Sequence, residues 1–137
     1  MSSPIIPTLR YREAARAMDW LCTAFGFEKR LVVPGENGTI EHAQLTFGTG
    51  MIMLGTSRDD SPFDAIQVPP DPEQMTVTQS PYIVVENVDT HYVRALSAKA
   101  VIVMEPANQD YGGRLYSCKD LEGHLWNFGS YDPWAAT

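Results

Sequence analysis

Few side chains in this sequence could carry out catalysis or bind a metal. The 137 residues include three histidines, His42, His91 and His124, and two cysteines, Cys22 and Cys118. A transition-metal site needs three or four His, Cys, Asp or Glu ligands that converge from separate elements. A nucleophilic thiol needs a basic neighbour that lowers its pKa. Neither arrangement is visible, so both cysteines are predicted to be buried structural thiols.

Each histidine has an ordinary structural interpretation beside a functional one. His91 is predicted to lie on the exposed face of a helix. His124 begins a strand, where it would hydrogen-bond the preceding turn or stand at the rim of a pocket. His42 lies on a predicted strand with Gln44 and Thr46 on the same face. It therefore either anchors a ligand in a cleft or faces solvent.

Motifs of covalent catalysis and cofactor binding are also missing from the sequence. There is no Gly-x-Ser-x-Gly elbow, no phosphate-binding glycine loop with a lysine, and no dinucleotide fingerprint. Asp120 and Glu122 lie on one turn rather than across a cleft, so paired-carboxylate chemistry has no support. We therefore predict no cofactor.

The net charge of −7 restricts the possible partners. Nucleic acid and anionic membrane surfaces are poor partners for an acidic chain without a basic stripe. No apolar run reaches membrane-spanning length, and the first seven residues lack the features of a targeting signal. We expect a cytoplasmic protein with a small-molecule partner, no nucleic acid and no membrane.

The predicted elements repeat once along the chain. The first set is a strand at 5–11, a helix at about 13–25, and strands at 28–33, 40–47 and 51–55. The second is a strand at 81–86, a helix at about 89–98, and strands at 101–105, 114–119 and 124–128. The order predicts an α+β fold of two β-α-β-β-β modules whose half-sheets enclose a half-barrel cleft. We predict one domain over 1–137, with module one at about 5–56, a linker at about 57–79 and module two at about 80–134.

Apolar spacing predicts which helix faces are buried. The first helix carries a stripe of Ala14, Ala17, Met18, Leu21 and Phe25, and Gly26 is placed to end it. The second helix is predicted to begin at an Asp89 cap and to bury Tyr92, Val93 and Leu96.

The closing hairpin carries the most specific pattern. The run Asp120-Leu121-Glu122-Gly123-His124-Leu125-Trp126 resembles the Asp-Pro-x-Gly-His-x-Trp signature of the glyoxalase/bleomycin-resistance, or vicinal oxygen chelate, superfamily. The segments Pro7-Thr8-Leu9-Arg10-Tyr11 and Phe25-Gly26-Phe27 also fall in family positions. Leu121 replaces the usual proline, and Lys99 stands where a helix-ending glycine is common. The resemblance implies the tandem β-α-β-β-β fold and a homodimer.

Enzymes of this superfamily hold a divalent metal through one side chain on the first and last strand of each module. Transferred position by position, these sites are Ile6, Met53, Tyr82 and Asn127. An aliphatic chain, a thioether, a phenol and an amide do not form a ligand set for zinc or for a hard cation. The sequence therefore predicts no metal, which favours the bleomycin-resistance branch of the family.

Without a metal, the inward sheet faces would form an amphiphilic binding surface of methionines, aromatic rings and a few polar groups. Such a surface suits a planar or partly apolar small molecule. Arg114 would either meet an acidic group of that ligand or pair with Asp110 or Asp120. The predicted ligand-binding residues are Thr8, Arg10, His42, Gln44, Met51, Met53, Tyr82, Tyr111, Arg114, Tyr116 and Asn127. Trp20, Ile52, Trp126 and Phe128 are predicted to belong to the core.

The leading hypothesis is a metal-independent protein that sequesters a drug-like or aromatic metabolite, as an antibiotic-resistance protein would. The alternative is a metal-dependent glyoxalase-type lyase, isomerase or dioxygenase with a non-standard site. A third hypothesis is a structural or regulatory protein with a filled cleft. Metal analysis would separate the first two hypotheses, and a thermal-shift screen would test for a ligand.

Overall fold

The computed structural model describes residues 2–135, which form eight strands and two α-helices. The chain divides into two compact units, with the boundary between Pro70 and Asp71. The elements of the first unit are β1 (Thr8–Tyr11), α1 (Ala14–Phe25), β2 (Glu28–Pro34), β3 (Ile40–Phe47) and β4 (Gly50–Thr56). Those of the second are β5 (Tyr82–Val84), α2 (Val88–Ser97), β6 (Val101–Asn108), β7 (Arg114–Lys119) and β8 (Leu125–Gly129). No helix within 2–135 is long and apolar enough to cross a membrane.

The two units have the same topology. The strand orders are β1-β4-β3-β2 and β5-β8-β7-β6, and in each unit the first strand pairs parallel with the last. The prediction of an α+β fold with two β-α-β-β-β modules is therefore confirmed. The register is also repeated, because Thr8 lies opposite Met53 as Tyr82 lies opposite Asn127. The last strand of each unit also makes the same hydrogen bond: the backbone N–H of Met53 donates to the Pro7 carbonyl, and that of Asn127 donates to the Pro81 carbonyl.

In the first unit, α1 packs on one face of its sheet. The predicted helix stripe is confirmed, since all five of its residues are buried. Gly26 ends the helix in the left-handed conformation, with φ of 94°, and its N–H donates to the Cys22 carbonyl. Because strand residues alternate between faces, the helix-facing side of the sheet is apolar. Its buried residues are Leu9, Tyr11, Ala43, Leu45, Ile52 and Leu54.

In the second unit, α2 differs from the prediction in its cap and its buried face. The N-cap is Asn87, whose side chain accepts a hydrogen bond from the Thr90 N–H, so the prediction of an Asp89 cap is wrong. Val93 and Leu96 are 57% and 48% exposed, so their predicted burial is also wrong. The helix instead turns Val88 and Ala95 inward, which are one heptad apart, and Val93 and Leu96 fall beside that stripe.

The closing hairpin is organised around a buried carboxylate. Asp120 is 1% exposed, and it accepts hydrogen bonds from the backbone N–H groups of Glu122 and His124 and from the indole of Trp126. These bonds fix the turn and the first large side chain of β8 together. Trp126 and Phe128 are completely buried, which confirms their prediction as core residues. The aspartate, the turn and the tryptophan of the sequence pattern therefore form one structural unit.

Candidate ligand-binding site

The first unit presents an open sheet face opposite α1. Six predicted residues lie on this face because their sequence neighbours Leu9, Ala43 and Ile52 are buried on the other side. Gln44 pairs with Met53, and Met53 pairs with Thr8, so three strands place side chains in one row. The six residues are Thr8, Arg10, His42, Gln44, Met51 and Met53. Their role in binding stays a prediction.

A depression of about 180 Å³ lies on this open face. Four of the six residues line it, and the Nε2 atoms of His42 and Gln44 are 3.2 Å apart. His42 therefore belongs to a polar patch at the depression and does not stand alone on the strand. The lining residues are Thr8, Leu9, Arg10, Glu41, His42, Met53, Leu54, Gly55, Phe63 and Gln67.

Arg10 is held inside the first unit. Its Nη2 donates to the carbonyl of Thr56 at 2.8 Å and forms a salt bridge with Asp64 at 2.5 Å. Asp64 is 8% exposed and also accepts from the backbone N–H of Arg58 at 3.2 Å. Partial burial pushes the pKa of Asp64 upward, but the bonds from Arg58 and Arg10 outweigh it and lower that pKa below its ordinary value. The guanidinium charge is thus balanced by a carboxylate beside it.

Two residues of this depression, Phe63 and Gln67, come from the segment 57–79, which the sequence predicts to be a linker. Phe63 opens a short 3₁₀ helix, Phe63–Ala65, and its ring centroid lies 6.0 Å from the Arg10 guanidinium carbon. The Gln67 side chain donates to the carbonyl of Thr8 at 2.9 Å. The available sequence signal was a single aromatic residue between Pro62 and Asp64 in an otherwise polar segment.

The second unit also has an open face, and Asn127 lies on it. The amide of Asn127 is fully engaged, because its Nδ2 donates to Ser80 Oγ at 2.8 Å and to the Pro81 carbonyl at 3.0 Å. Its Oδ1 accepts from Ser117 Oγ at 2.7 Å. Ser117 is 4% exposed. Asn127 therefore ties β5, β7 and β8 together.

Tyr82 and Tyr111 are brought together through a third tyrosine, Tyr131, which the sequence prediction did not include. The Tyr82 hydroxyl donates to the Tyr131 carbonyl at 2.6 Å, and the rings of Tyr111 and Tyr131 meet edge to face at 5.1 Å. Burial raises the pKa of Tyr82, so its hydroxyl remains protonated near neutral pH. The three residues form an aromatic cluster on the second unit.

The prediction that Tyr116 belongs to the ligand-binding surface together with Asn127 is wrong. Tyr116 pairs with Phe128 across the hairpin and so lies on the helix-facing side. It is completely buried, and its hydroxyl meets Nδ1 of His91 at 2.5 Å. The His91 ring also packs 4.2 Å from that of Phe128, so the prediction that His91 lies on an exposed helix face is wrong. Burial strongly raises the pKa of Tyr116, so its hydroxyl stays protonated at neutral pH.

Arg114 is likewise displaced from the predicted surface, because it occupies the same strand face as Tyr116. Its Nη2 forms a salt bridge with Asp89 of α2 at 3.0 Å, and its Nη1 donates to Asn108 at 3.0 Å. The predicted pairing with Asp110 or Asp120 is therefore wrong, and Arg114 connects β7 to α2.

The repeated register changes one assignment of the family metal positions. Because Thr8 and Tyr82 are equivalent, the residue equivalent to Ile6 in the second unit is Ser80 and not Tyr82. The Ser80 side chain offers neither a carboxylate nor an imidazole as a metal ligand, and its hydroxyl accepts a hydrogen bond from Asn127. Met53 supplies only a soft thioether. Within 2–135, no three His, Cys, Asp or Glu side chains form a group that could hold a metal. These residues do not fit the family's metal.

The thiol of the second unit, Cys118, is not an activated nucleophile. Cys118 is buried on the helix-facing side of β7, and burial followed by the nearby Asp120 raises its pKa to about 12. A thiol of this kind is protonated at neutral pH and is a poor nucleophile.

Comparisons with known proteins agree with this architecture. An uncharacterised protein of Mycobacterium bovis is 32% identical over 124 residues, which are 90% of this chain and 80% of that protein. TioX from Micromonospora sp. ML1 is 34% identical with a TM-score of 0.72, covering 93% of this chain and 98% of its own. The fosfomycin resistance protein FosX from Listeria monocytogenes, solved with Mn(II) and a dihydroxypropylphosphonic acid, has a TM-score of 0.69 at 14% identity. It covers 97% of this chain and 93% of its own, and at that identity it shows the fold alone.

Residues 6–128 match the family described as the glyoxalase/bleomycin resistance protein/dioxygenase superfamily. This match spans most of the chain and agrees with the duplicated fold. The chain therefore belongs to the glyoxalase/bleomycin resistance protein/dioxygenase superfamily.

Proposed function

We propose that this protein binds a partly apolar small molecule without a metal. The observation that carries the proposal is the Asn127 amide, which stands at a family metal position and has its donors and acceptor engaged by Ser80, Pro81 and Ser117. To bind a metal, this amide would have to give up hydrogen bonds within the protein, and groups left unsatisfied in the interior would lower stability. The residues at the other three positions, Ile6, Met53 and Ser80, add no charge that would attract a cation.

The open faces support a binding role because they combine apolar and polar groups. In the first unit, Met53 and Phe63 provide apolar surface beside the polar groups of His42 and Thr8. Ligand sites typically have such a mainly apolar lining with a few placed polar groups. Within 2–135, no group of His, Cys, Asp or Glu side chains could hold the metal on which a glyoxalase-type enzyme depends, so binding is the stronger proposal.

We also propose a homodimer, in which a second copy covers exposed apolar residues of the edge strands β2 and β6. β2 and β6 are edge strands. Five of their apolar side chains are substantially exposed, and exposed apolar edges are commonly covered by another chain. These residues are Leu31, Val33, Val101, Val103 and Met104, at 43%, 39%, 55%, 50% and 47% exposure.

The proposal is tested by a thermal-shift screen of small molecules against chelator-treated protein. A ligand that binds only the native state raises the unfolding temperature by mass action. We expect hits in the presence of EDTA, with affinities that do not change when Mn²⁺, Ni²⁺ or Zn²⁺ is added. Hits that appear only with one of these ions would contradict the proposal and would favour a metal-dependent enzyme.

A further inference from the structure

We propose that the depression on the first unit binds an uncharged planar aromatic ring, and that Phe63 is the residue on which this ring stacks. This inference rests on the proposed binding function and adds the chemical class of the ligand. It also assigns a contact residue in the segment between β4 and β5.

Phe63 is held at the depression without being part of the core. The Asp64 carboxylate next to it is anchored by Arg10 and by the backbone of Arg58. Gln67, one turn further on, donates to the carbonyl of Thr8. Phe63 is nevertheless 51% exposed. Three hydrogen-bonded anchors thus fix a segment whose largest apolar side chain is left open at the rim, as a stacking contact requires.

The charges around the depression are paired with one another. Arg10 pairs with Asp64, while Arg58 pairs with Glu41 at 3.2 Å and with Asp60 at 3.1 Å. An anionic ligand would have to compete with carboxylates for these guanidinium groups, and a cationic ligand would have to displace a guanidinium. A neutral ligand disturbs neither pair.

The size of the depression fits one or two fused rings. A cavity of roughly 150 Å³ is known to hold benzene, and the depression measures about 180 Å³. Met53 provides a polarizable thioether that packs well against aromatic rings. His42 stands beside it and can exchange a hydrogen bond with a hydroxyl on the ring. A hydroxylated naphthalene has these properties.

The experiment compares three naphthalene probes whose substituents are neutral, anionic and cationic: 1-naphthol, 1-naphthoate and 1-naphthylmethylammonium. Binding to the full-length protein is followed by naphthalene fluorescence in EDTA. We expect 1-naphthol to bind most tightly. Phe63→Ala should weaken its binding roughly tenfold, as expected for the loss of an aromatic stack and its buried area. Phe63→Leu, which keeps apolar bulk but no ring, should give an intermediate loss.

The matched control is Ile66→Ala, because Ile66 lies in the same segment, is 81% exposed and does not line the depression. It should leave the affinity for 1-naphthol unchanged. All three variants should remain folded at the assay temperature, since Ile66 is largely exposed and Phe63 is half-exposed and outside the core; a thermal scan of each variant checks this.

Three results would overturn the inference: tighter binding of either charged probe, equal affinity of Phe63→Ala and wild type, or no binding of 1-naphthol. If metal-independent hits from the screen still bind in those cases, the proposed function stands and only the ring class and Phe63 are wrong. If nothing binds the chelated protein, the proposed function is wrong as well.

Discussion

Replacing Asn127 by alanine tests whether this amide is a structural link between strands. The substitution removes one acceptor and two donor contacts. It leaves three groups to find new partners, but their surroundings differ. Ser80 is exposed, so water can replace its lost bond. The Pro81 carbonyl still accepts a hydrogen bond from the backbone N–H of residue 127.

Ser117 determines the size of the effect. It is 4% exposed, so its hydroxyl would be left in the interior without the acceptor that Asn127 supplies. Leaving a buried polar group unsatisfied costs about 1–3 kcal/mol. We therefore expect Asn127→Ala to lower the free energy of unfolding by about 2 kcal/mol. For a chain of this size, that corresponds to a fall in the thermal midpoint of roughly 8 °C.

Urea unfolding followed by tryptophan fluorescence measures this loss, and two further variants identify its origin. The double variant Asn127→Ala/Ser117→Ala should lose less than the sum of the two single changes, because no hydroxyl is then left unpaired. Asn127→Asp keeps the acceptor for Ser117 but removes both N–H donors and places a carboxylate near the Pro81 carbonyl. It should therefore be less stable than Asn127→Ala at neutral pH and should recover on acidification.

If Asn127→Ala unfolds at the same urea concentration as the wild type, the three hydrogen bonds contribute no net stability. The argument that these hydrogen bonds keep the amide from binding a metal would then be refuted. Additive losses in the double variant would show that Asn127 and Ser117 do not act as a pair.

Three further predictions concern the core, the Asp64 salt bridge and the assembly. Trp126→Ala should lower the free energy of unfolding by about 3–5 kcal/mol in urea titrations, since it removes a completely buried ring and leaves Asp120 without the indole donor; a loss below 1 kcal/mol would contradict this. Because the folded-state pKa of Asp64 is lowered, its stabilisation is fully present above the unfolded-state value near 3.8 and is lost as the pH falls through the lower folded-state pKa. The stability difference between wild type and Asp64→Asn should accordingly shrink in acid, and a constant difference down to pH 2 would refute the salt bridge. Sedimentation should give a dimer, and a strictly monomeric mass at tens of micromolar would contradict the proposed assembly.

Sequence periodicity predicted the first unit well because its strands alternate regularly. The open face that carries Thr8, His42 and Met53 follows directly from the burial of the residues between them. The same alternation places Asn127 and Trp126 on opposite faces of β8. The errors in the second unit arise where two elements must be combined. Alternation within β7 cannot show that Tyr116 pairs with Phe128, because the cross-strand register depends on the turn at Asp120.

The segment between β4 and β5 could not be predicted for a different reason. Its structure depends on contacts with residues distant in sequence, such as Asp64 with Arg10 and Gln67 with Thr8. Such contacts leave no periodic pattern in the chain. A polar, proline-containing stretch is therefore predicted to be a linker, and nothing in its pattern marks Phe63 as a site residue.

Metal titration by calorimetry tests most directly whether this member of the superfamily binds its small-molecule ligand without a metal. Chelator-treated protein is titrated with Mn²⁺, Ni²⁺ and Zn²⁺, alone and in the presence of a ligand from the screen. We do not expect a metal to bind at Met53 and Asn127, because neither side chain offers a carboxylate or an imidazole as a ligand. We predict no stoichiometric binding heat for any of the three ions and an unchanged ligand affinity. A one-to-one isotherm for one ion, together with ligand binding or lactoylglutathione lyase turnover that requires it, would contradict the account.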